Sequence, residues 1–123
     1  MSDTRREETG RSNYLAGQAA EDIVLRHYEA RGLVLAKARW RGKAGEVDLI
    51  LRDGEELVFV EVKHSRSFDS AAARLLPQQV QRLRRAAEEF AGGEPKGLLT
   101  EMRFDVALVN GRGEVHILEN ALW

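Results

Sequence analysis

Two short segments near the middle of the chain alternate apolar and charged residues, and this alternation constrains the fold more than any other feature. The segments are residues 45–50 (GEVDLI) and 58–63 (VFVEVK), and residues 52–55 (RDGE) between them have the composition of a tight turn. A period of two is typical of β-strands, whose successive side chains point to opposite faces. The sequence therefore predicts a β-hairpin, with Leu51 paired to Glu56 if the loop holds an even number of residues.

Three carboxylates and a lysine share one face of this predicted hairpin: Glu46, Asp48, Glu61 and Lys63. In the predicted register Glu46 faces Glu61, and Asp48 lies diagonal to Glu61. Like charges that oppose each other across strands destabilise a sheet by up to about 1 kcal/mol. A divalent cation such as Mg²⁺ would reverse that effect, because it binds one or two carboxylates together with substrate phosphates. The alternation alone favours an exposed face on which Lys63 pairs with Glu61, because Glu and Lys are common on exposed strands.

The length and composition predict one soluble domain. The chain has 123 residues, of which 43% are hydrophobic, so it can bury a core. Residues 1–12 are polar and without periodicity, which predicts a disordered lead-in before a single domain over residues 13–123. The absence of cysteine excludes disulfides and thiolate metal sites. The sequence lacks a membrane-spanning apolar run and an apolar signal segment, which predicts a cytoplasmic protein.

The order of periodic segments predicts an α/β (α+β mixed) domain. Helical spacing of apolar residues predicts one helix over 13–31 and another that begins at Pro77 and ends before Gly92. Strands are predicted at 33–40, 46–52, 57–64, 104–109 and 115–118, and residues 65–76 are predicted to form a loop. The resulting order α-β-β-β-α-β-β predicts a mixed central sheet of about five strands flanked by helices.

Basic residues cluster in two parts of the chain despite a net charge of −1. Residues 31–43 contain five basic residues and no acidic one, and residues 63–85 contain six lysines and arginines against one aspartate. Basic segments beside an acidic site suit a polyanion such as a nucleic acid, with Arg41, Lys43, Arg66 and Arg82 as candidate contacts. A solvated surface explains the same pattern, and the net charge argues against a strong nonspecific DNA coat.

Two short motifs connect the charged hairpin to known proteins. The pattern D-x(12)-E-V-K formed by Asp48, Glu61 and Lys63 resembles the motif of the PD-(D/E)xK nuclease superfamily. A longer set of segments resembles the YraN-like family of small bacterial proteins, which is similar to archaeal Holliday-junction resolvases. The set comprises Ala20-Glu21, Trp40-Arg41, 45–50, 58–63 and Arg103-Phe104-Asp105-Val106.

The resemblance implies a restriction-endonuclease-like fold and a metal-dependent endonuclease that hydrolyses DNA. It implies that Asp48 and Glu61 hold Mg²⁺ or Mn²⁺, while Lys63 acts on the attacking water or on the transition state. An acidic residue on the first helix often completes such clusters, and Glu21 matches that position. Glu46 is left with a supporting or structural role. Branched DNA is the substrate class implied, and the cutting of two strands would favour a homodimer.

The sequence departs from the family pattern at two places. His64 and Ser65 stand where the family usually has Thr and Arg after Lys63, and strand alternation predicts that His64 faces away from Lys63. Gln79 stands where the family tends to have Lys; a Gln or Lys at this place lies beside the metal site in related nucleases. This difference removes one positive charge from the implied phosphate site and leaves the implied metal ligands intact.

Two other function classes remain open from the sequence. The first is a nucleic-acid-binding module of nuclease-like fold without turnover, and the second is an interaction protein whose acidic cluster is vestigial. The intact set of Asp48, Glu61 and Lys63 argues against both, because binding alone does not need two carboxylates facing a phosphate. Asp105, which lies between apolar residues of a predicted strand, is predicted to be structural and bonded to an arginine.

Overall fold

The computed structural model describes residues 2–121 of the chain, and the side chains from residue 16 onward. The first helix, α1 (Ser2–Ala30), begins well before the predicted start at Asn13. It therefore includes most of the predicted disordered lead-in, which is rich in Arg and Glu, residues of high helix propensity. Within residues 2–121, no helix has both the length and the apolar character needed to cross a membrane.

Five strands form one mixed sheet. They are β1 (Val34–Arg41), β2 (Glu46–Asp53), β3 (Glu56–His64), β4 (Met102–Val109) and β5 (Val115–Leu118). The order in the sheet is β1-β2-β3-β4-β5; β3 and β4 are parallel and the other neighbours are antiparallel. The long helix α3 (Pro77–Ala91) belongs to the crossover between β3 and β4, which a parallel pair requires. The predicted mixed α/β fold and its order of elements are confirmed.

A short helix, α2 (Phe68–Ala72), occupies part of the segment predicted to be a loop. Ser67 caps it: the Ser67 Oγ accepts a hydrogen bond from the Ser70 backbone N at 3.1 Å, and the Ser70 Oγ accepts one from the Ser67 N at 3.2 Å. This reciprocal capping satisfies donors that the first helical turn leaves unpaired. The prediction of a loop is wrong for these residues, because the alanines that follow the cap are small but strongly helix-forming.

Two apolar cores lie on opposite faces of the sheet. One core packs α2 and α3 against the sheet, and the other packs α1 against it. The α3 core includes these buried residues: Val47, Ile50, Leu57, Phe59, Leu83 and Phe104. The α1 core includes these: Val24, Tyr28, Leu49, Val58, Val60 and Val109. Because both faces are covered, polar side chains of the central strands can reach solvent only where a strand ends.

The β2–β3 hairpin differs from the predicted register by two residues. Asp53 pairs with Glu56 and Leu51 pairs with Val58, so the loop consists of two residues, and its even number is as predicted. Gly54, the first loop residue, has a φ of 62°, which glycine adopts without steric cost and which suits a type II′ turn. The pairing of Leu51 with Glu56 is therefore wrong, because the turn is tighter than the one assumed from the sequence.

The alternation of side chains breaks at Asp48. Val47 packs in the α3 core and Leu49 in the α1 core, although alternation predicts that these two residues share a face. On the neighbouring strand β1, Arg39 adopts a left-handed φ of 50° opposite this point, between the pairs that Val47 and Leu49 form. A left-handed residue in one strand rotates the chain locally, so both strands exchange faces here, and the expectation that Val47 and Leu49 share a face is wrong.

One carboxylate, Asp105, is completely buried beneath α1. Its Oδ2 accepts a hydrogen bond from the Tyr28 hydroxyl at 2.7 Å, and its Oδ1 accepts from the Arg103 Nε at 3.2 Å and from the Asn120 backbone N at 3.0 Å. The predicted bond to an arginine is confirmed. Hydrogen-bond donors from α1, from β4 and from the C-terminal segment thus compensate the charge of Asp105.

Candidate active site

Asp48 and Glu61 meet where β2 begins and β3 approaches its end. Continuing the observed register of β2 and β3 places Asp48 opposite Glu61 rather than diagonal to it. The carboxyl groups of Asp48 and Glu61 lie close enough to interact, and the Asp48 Oδ2 accepts a hydrogen bond from the Val62 backbone N at 2.8 Å. The Glu61 side chain is only 12% exposed. Two acids therefore share one nearly enclosed position, as the sequence predicts.

Burial makes both of these carboxyl groups hard to ionise. It raises the pKa of Glu61 to about 7, and repulsion from Asp48 contributes to this shift. Burial also raises the pKa of Asp48, against the opposing effect of the hydrogen bond from Val62. Burial and mutual repulsion thus both favour the protonated form of a carboxyl group in this pair.

Lys63 lies beside the acid pair. Its Nζ is 3.1 Å from the Glu61 Oε1, and the Lys63 side chain is 15% exposed. Lys63 and Glu61 are separated by one residue on β3, so alternation directs both to the same side. The sequence prediction that Lys63 projects toward the carboxylates is therefore consistent with this contact.

A cavity of about 240 Å³ opens from the acid pair toward α3. We call it the α3-side cavity; it is lined by Gly45, Glu46, Asp48, Glu61, Gln79, Arg82 and Leu83. The Gln79 Oε1 accepts a hydrogen bond from the Leu76 backbone N at 3.1 Å and so caps α3. Its amide nitrogen and the exposed Arg82 guanidinium are donors in this lining, next to the positive end of the helix dipole.

A second cavity, of about 180 Å³, opens toward α1. We call it the α1-side cavity; it is lined by Gly17, Glu21, Val62, Lys63, His64 and Arg74. Glu61 lines the first cavity and Lys63 the second, so the Glu61–Lys63 contact separates the two. The His64 imidazole is directed toward α1, in keeping with the prediction that it faces away from the Lys63–Glu61 contact, and both residues line this cavity because it lies at the end of β3.

Glu21 projects from α1 toward the acid pair, as its match to the family position implies. Its Oε2 accepts a hydrogen bond from the Arg39 Nε at 2.9 Å, and its side chain is 19% exposed. Burial raises the pKa of Glu21; the Arg39 guanidinium opposes this shift, and the charge of Asp48 adds to it. Glu21 therefore interacts with Asp48, and Arg39 balances the charge of Glu21.

Arg39 is a site residue that the sequence analysis missed. A left-handed φ costs a residue with a side chain on the order of 1 kcal/mol or more, and such conformations concentrate at functional sites. The only sequence signal is its position two residues before Arg41, in a strand whose alternation is weak. Neither propensity nor spacing predicts a left-handed arginine inside a strand.

The remaining predicted nucleic-acid contacts are less close to the acid pair. The Arg41 guanidinium lies 3.4 Å from Glu46, which lines the α3-side cavity. The Lys43 backbone N donates to the Glu89 carboxylate at 2.9 and 3.2 Å, which ties the β1–β2 turn to α3. The side chains of Lys43 and Arg66 line neither cavity. Gln79 and Arg82 are therefore the predicted contacts that the fold brings to the acid pair.

The donor set suits a hard cation held by few protein ligands. Among the residues whose side chains are described, no group of three or more His, Cys, Asp and Glu is arranged to hold a metal ion. Mg²⁺ often uses one or two carboxylates and takes its other ligands from water and substrate phosphates. Asp48 and Glu61 provide such a pair, because a cation between them would offset the repulsion between their ionised forms.

Comparison with known proteins gives consistent matches. The profile described as "Uncharacterised protein family UPF0102" matches residues 20–109. A UPF0102 protein of Ruegeria pomeroyi is 59% identical over 112 residues, which cover 91% of each chain. A UPF0102 protein of Roseobacter denitrificans is 55% identical over 117 residues, which cover 95% of this chain and 91% of the relative. The region matched by the profile contains both strands of the acid pair, all of α3 and the C-terminal part of α1.

Proposed function

This chain belongs to the UPF0102 (YraN-like) family, and we propose that it is a metal-dependent endonuclease that hydrolyses phosphodiester bonds in DNA. The observation that carries the proposal is the contact of Asp48 with Glu61 next to Lys63. The two acids interact directly in a position with little solvent, and the lysine is 3.1 Å from one of them. A fold gains no stability from placing two acids together, whereas a cation site uses both.

Each residue around the proposed metal has a distinct role in the proposed hydrolysis. Asp48 and Glu61 would hold Mg²⁺ or Mn²⁺; when bound, such an ion polarises a phosphoryl oxygen and lowers the pKa of a bound water. Lys63 orients the attacking water or offsets the negative charge that develops on the phosphorus oxygens. Glu21, held by Arg39, adds a third carboxylate that can accept a hydrogen bond from that water.

The α3-side cavity supplies donors for the substrate. The Gln79 amide and the Arg82 guanidinium line it together with the acid pair, and both can donate to phosphate oxygens. The basic segments 31–43 and 63–85 flank this end of the sheet, which favours the approach of a polyanion. Branched DNA remains the substrate class suggested by the resemblance to resolvases, and a homodimer remains a prediction.

A cleavage assay with a matched control tests the proposal. Wild type, Asp48→Asn and Glu55→Gln are compared on junction, flap, single-stranded and linear DNA with Mg²⁺ or Mn²⁺. Glu55→Gln makes the same chemical change at the hairpin turn, the opposite end of β2 from the acid pair. We expect metal-dependent cleavage by wild type and Glu55→Gln, and a rate at least about 100-fold lower for Asp48→Asn.

Two results would contradict the nuclease assignment. Equal cleavage by Asp48→Asn and wild type would identify a contaminating nuclease. DNA binding without metal-dependent cleavage on any substrate would favour the nucleic-acid-binding module without turnover.

A further inference from the structure

The α1-side cavity has no role in the proposed hydrolysis beyond the contribution of Lys63 and Glu21. It lies at the end of β3, across the Glu61–Lys63 contact from the α3-side cavity. Glu61 and Lys63 are two residues apart on a strand, a separation of about 6.6 Å along the chain. Two neighbouring phosphates of one nucleic-acid strand are separated by a similar length, so a strand that crosses the Glu61–Lys63 contact can direct one phosphate toward each cavity.

The charges that line the α1-side cavity are balanced except for one arginine. Lys63 pairs with Glu61 at 3.1 Å, and Glu21 pairs with Arg39 at 2.9 Å. Among residues 16–121, no ion pair involves Arg74, which is exposed. The cavity therefore carries one positive charge that the described part of the protein leaves unneutralised.

Arg74 is held in place by the backbone. Its Nη1 donates a hydrogen bond to the His64 carbonyl O at 2.9 Å, which fixes the guanidinium at the end of β3. Among residues 16–121 the other N–H groups of this guanidinium have no acceptor, and their planar arrangement matches two oxygens of a phosphate. An arginine that is already positioned loses less conformational entropy when it binds an anion.

The lining adds two features that suit a phosphate. His64 carries a ring nitrogen, Nε2, which lies 3.7 Å from the position that a Cβ would occupy at Gly17, so the imidazole is directed toward α1. Gly17 itself presents only a backbone surface, which leaves space beside His64 and Arg74. The one acid in the lining, Glu21, is already neutralised by its pairing with Arg39.

We propose that the α1-side cavity binds a backbone phosphate of DNA through Arg74 and His64, adjacent to the phosphate at the acid pair. The inference rests on the proposed function and makes it more specific. The DNA strand crosses the end of β3 from the α3-side cavity to the α1-side cavity. The binding is independent of base sequence, because phosphate contacts position a strand without reading its bases.

A salt series on variants that cannot cut DNA tests this site separately from catalysis. The parent is Asp48→Asn, and the probe is a fluorescently labelled single-stranded oligonucleotide followed by anisotropy. Arg74→Ala is compared with Arg85→Ala, an exposed arginine of α3 that lines neither cavity. We expect Arg74→Ala to weaken binding roughly tenfold and to reduce the slope of log K against log salt by about 0.7, the contribution of one phosphate contact. Arg85→Ala should leave the slope at the parent value.

A second pair of variants adds a charge instead of removing one. Gly17→Asp introduces a carboxylate into the α1-side cavity, and Ala16→Asp introduces the same carboxylate on the exposed side of α1. Since Ala16 lines neither cavity, we expect only Gly17→Asp to weaken binding to the extent seen with Arg74→Ala. Circular dichroism of all variants excludes loss of the helix as the cause.

The outcomes separate the two proposals. If Arg74→Ala and Arg85→Ala have equal slopes, or if the parent does not bind the oligonucleotide, the phosphate site is wrong whatever the wild type cuts. If Arg74→Ala lowers the slope and wild type never cleaves DNA, the phosphate site is supported and the nuclease proposal fails. A weakening by Ala16→Asp equal to that by Gly17→Asp would contradict the location of the site.

Discussion

Asp105 and the Asp48–Glu61 pair are both buried carboxylates of the same sheet, yet their surroundings are opposite. Asp105 is surrounded by donors: a tyrosine hydroxyl, an arginine and a backbone N–H. Asp48 and Glu61 face each other, and Lys63 forms an ion pair with Glu61 while its charge also lowers the pKa of Asp48. The donors around Asp105 compensate its buried negative charge. The acid pair instead concentrates negative charge that an external cation can neutralise.

The two sites contribute differently to the stability of the fold. The Asp105 network connects α1, β4 and the C-terminal segment, so its hydrogen bonds are part of the packing. The acid pair lies at the start of β2 and near the end of β3, between the helices that cover the two faces of the sheet. The repulsion between its two carboxylates opposes folding. A native structure retains such an unfavourable arrangement when the site has another use.

The largest expected effect on stability distinguishes these two kinds of carboxylate. Asp105→Asn removes the charge that Arg103 pairs with and places an amide donor near the Tyr28 hydroxyl. We expect the free energy of unfolding to fall by about 3–5 kcal/mol, the cost of breaking one partner of a buried ion pair. Asp48→Asn should leave the free energy of unfolding unchanged or higher, because it relieves the repulsion on Glu61. Urea denaturation followed by circular dichroism measures both.

A stability loss for Asp48→Asn as large as that for Asp105→Asn would remove the distinction between the two sites. The acid pair would then be a structural network of the same kind as that of Asp105. Glu55→Gln serves as the reference, because it makes an equivalent change at an exposed position.

Lys63 should affect catalysis more than folding. Lys63→Met keeps the length of the apolar side chain and removes only the cation that lies beside Glu61. Under the proposed function we expect the cleavage rate to fall by about 10²–10³-fold, the effect of losing one charge-stabilising donor. Binding of DNA by the same variant, measured by anisotropy without metal, should weaken far less. A comparable loss in both measurements would indicate that Lys63 only binds the substrate.

The sequence predicts the identity of the acid pair better than its geometry. Alternation in residues 58–63 correctly directs Glu61 and Lys63 to one side, because β3 is regular over that length. The sequence predicts that the hairpin loop has an even number of residues. It does not predict that the loop has only two residues, with a φ of 62° at Gly54, which shifts the strand register by two residues. Asp48 still meets Glu61, since a shift of two residues preserves the face.

Other features depend on contacts between segments that lie far apart in the chain. The left-handed conformation of Arg39 has no local sequence signal, and its partner Glu21 is eighteen residues away on α1. The position of Arg74 is set by its hydrogen bond to the carbonyl of His64, which lies before α2 in the chain. The sequence did not predict α2, because small residues are also common in loops. Tertiary packing decides such positions, and spacing along one element does not reveal them.

The pH dependence of stability should reflect the acid pair. The pKa of Glu61 is about 7 in the folded protein and 4.5 ordinarily, so the folded state holds a proton that the unfolded state releases between these values. The free energy of unfolding should therefore fall as the pH rises from about 4.5 to 7, by up to about 3 kcal/mol. Glu61→Gln should abolish most of this fall. Urea titrations at several pH values, without metal, measure it.

Addition of Mg²⁺ provides the complementary measurement. A bound cation favours the ionised carboxylates, so Mg²⁺ should raise Tm more at pH 8 than at pH 5. Glu61→Gln should show a smaller increase at both values. A Tm that responds equally to Mg²⁺ in wild type and Glu61→Gln would place any metal binding elsewhere.

The smallest expected effect concerns the strain opposite Asp48. Arg39→Gly and Arg39→Ala both remove the guanidinium that holds Glu21, and they differ only in the residue that must adopt a φ of 50°. Glycine reaches this conformation freely, whereas alanine does not, so we expect Arg39→Gly to be more stable than Arg39→Ala by about 1 kcal/mol. Under the proposed function both should reduce cleavage by the same factor, because activity depends on the guanidinium. Equal stability of the two variants would mean that the strand is not left-handed at this position, and the exchange of faces between Val47 and Leu49 would need another cause.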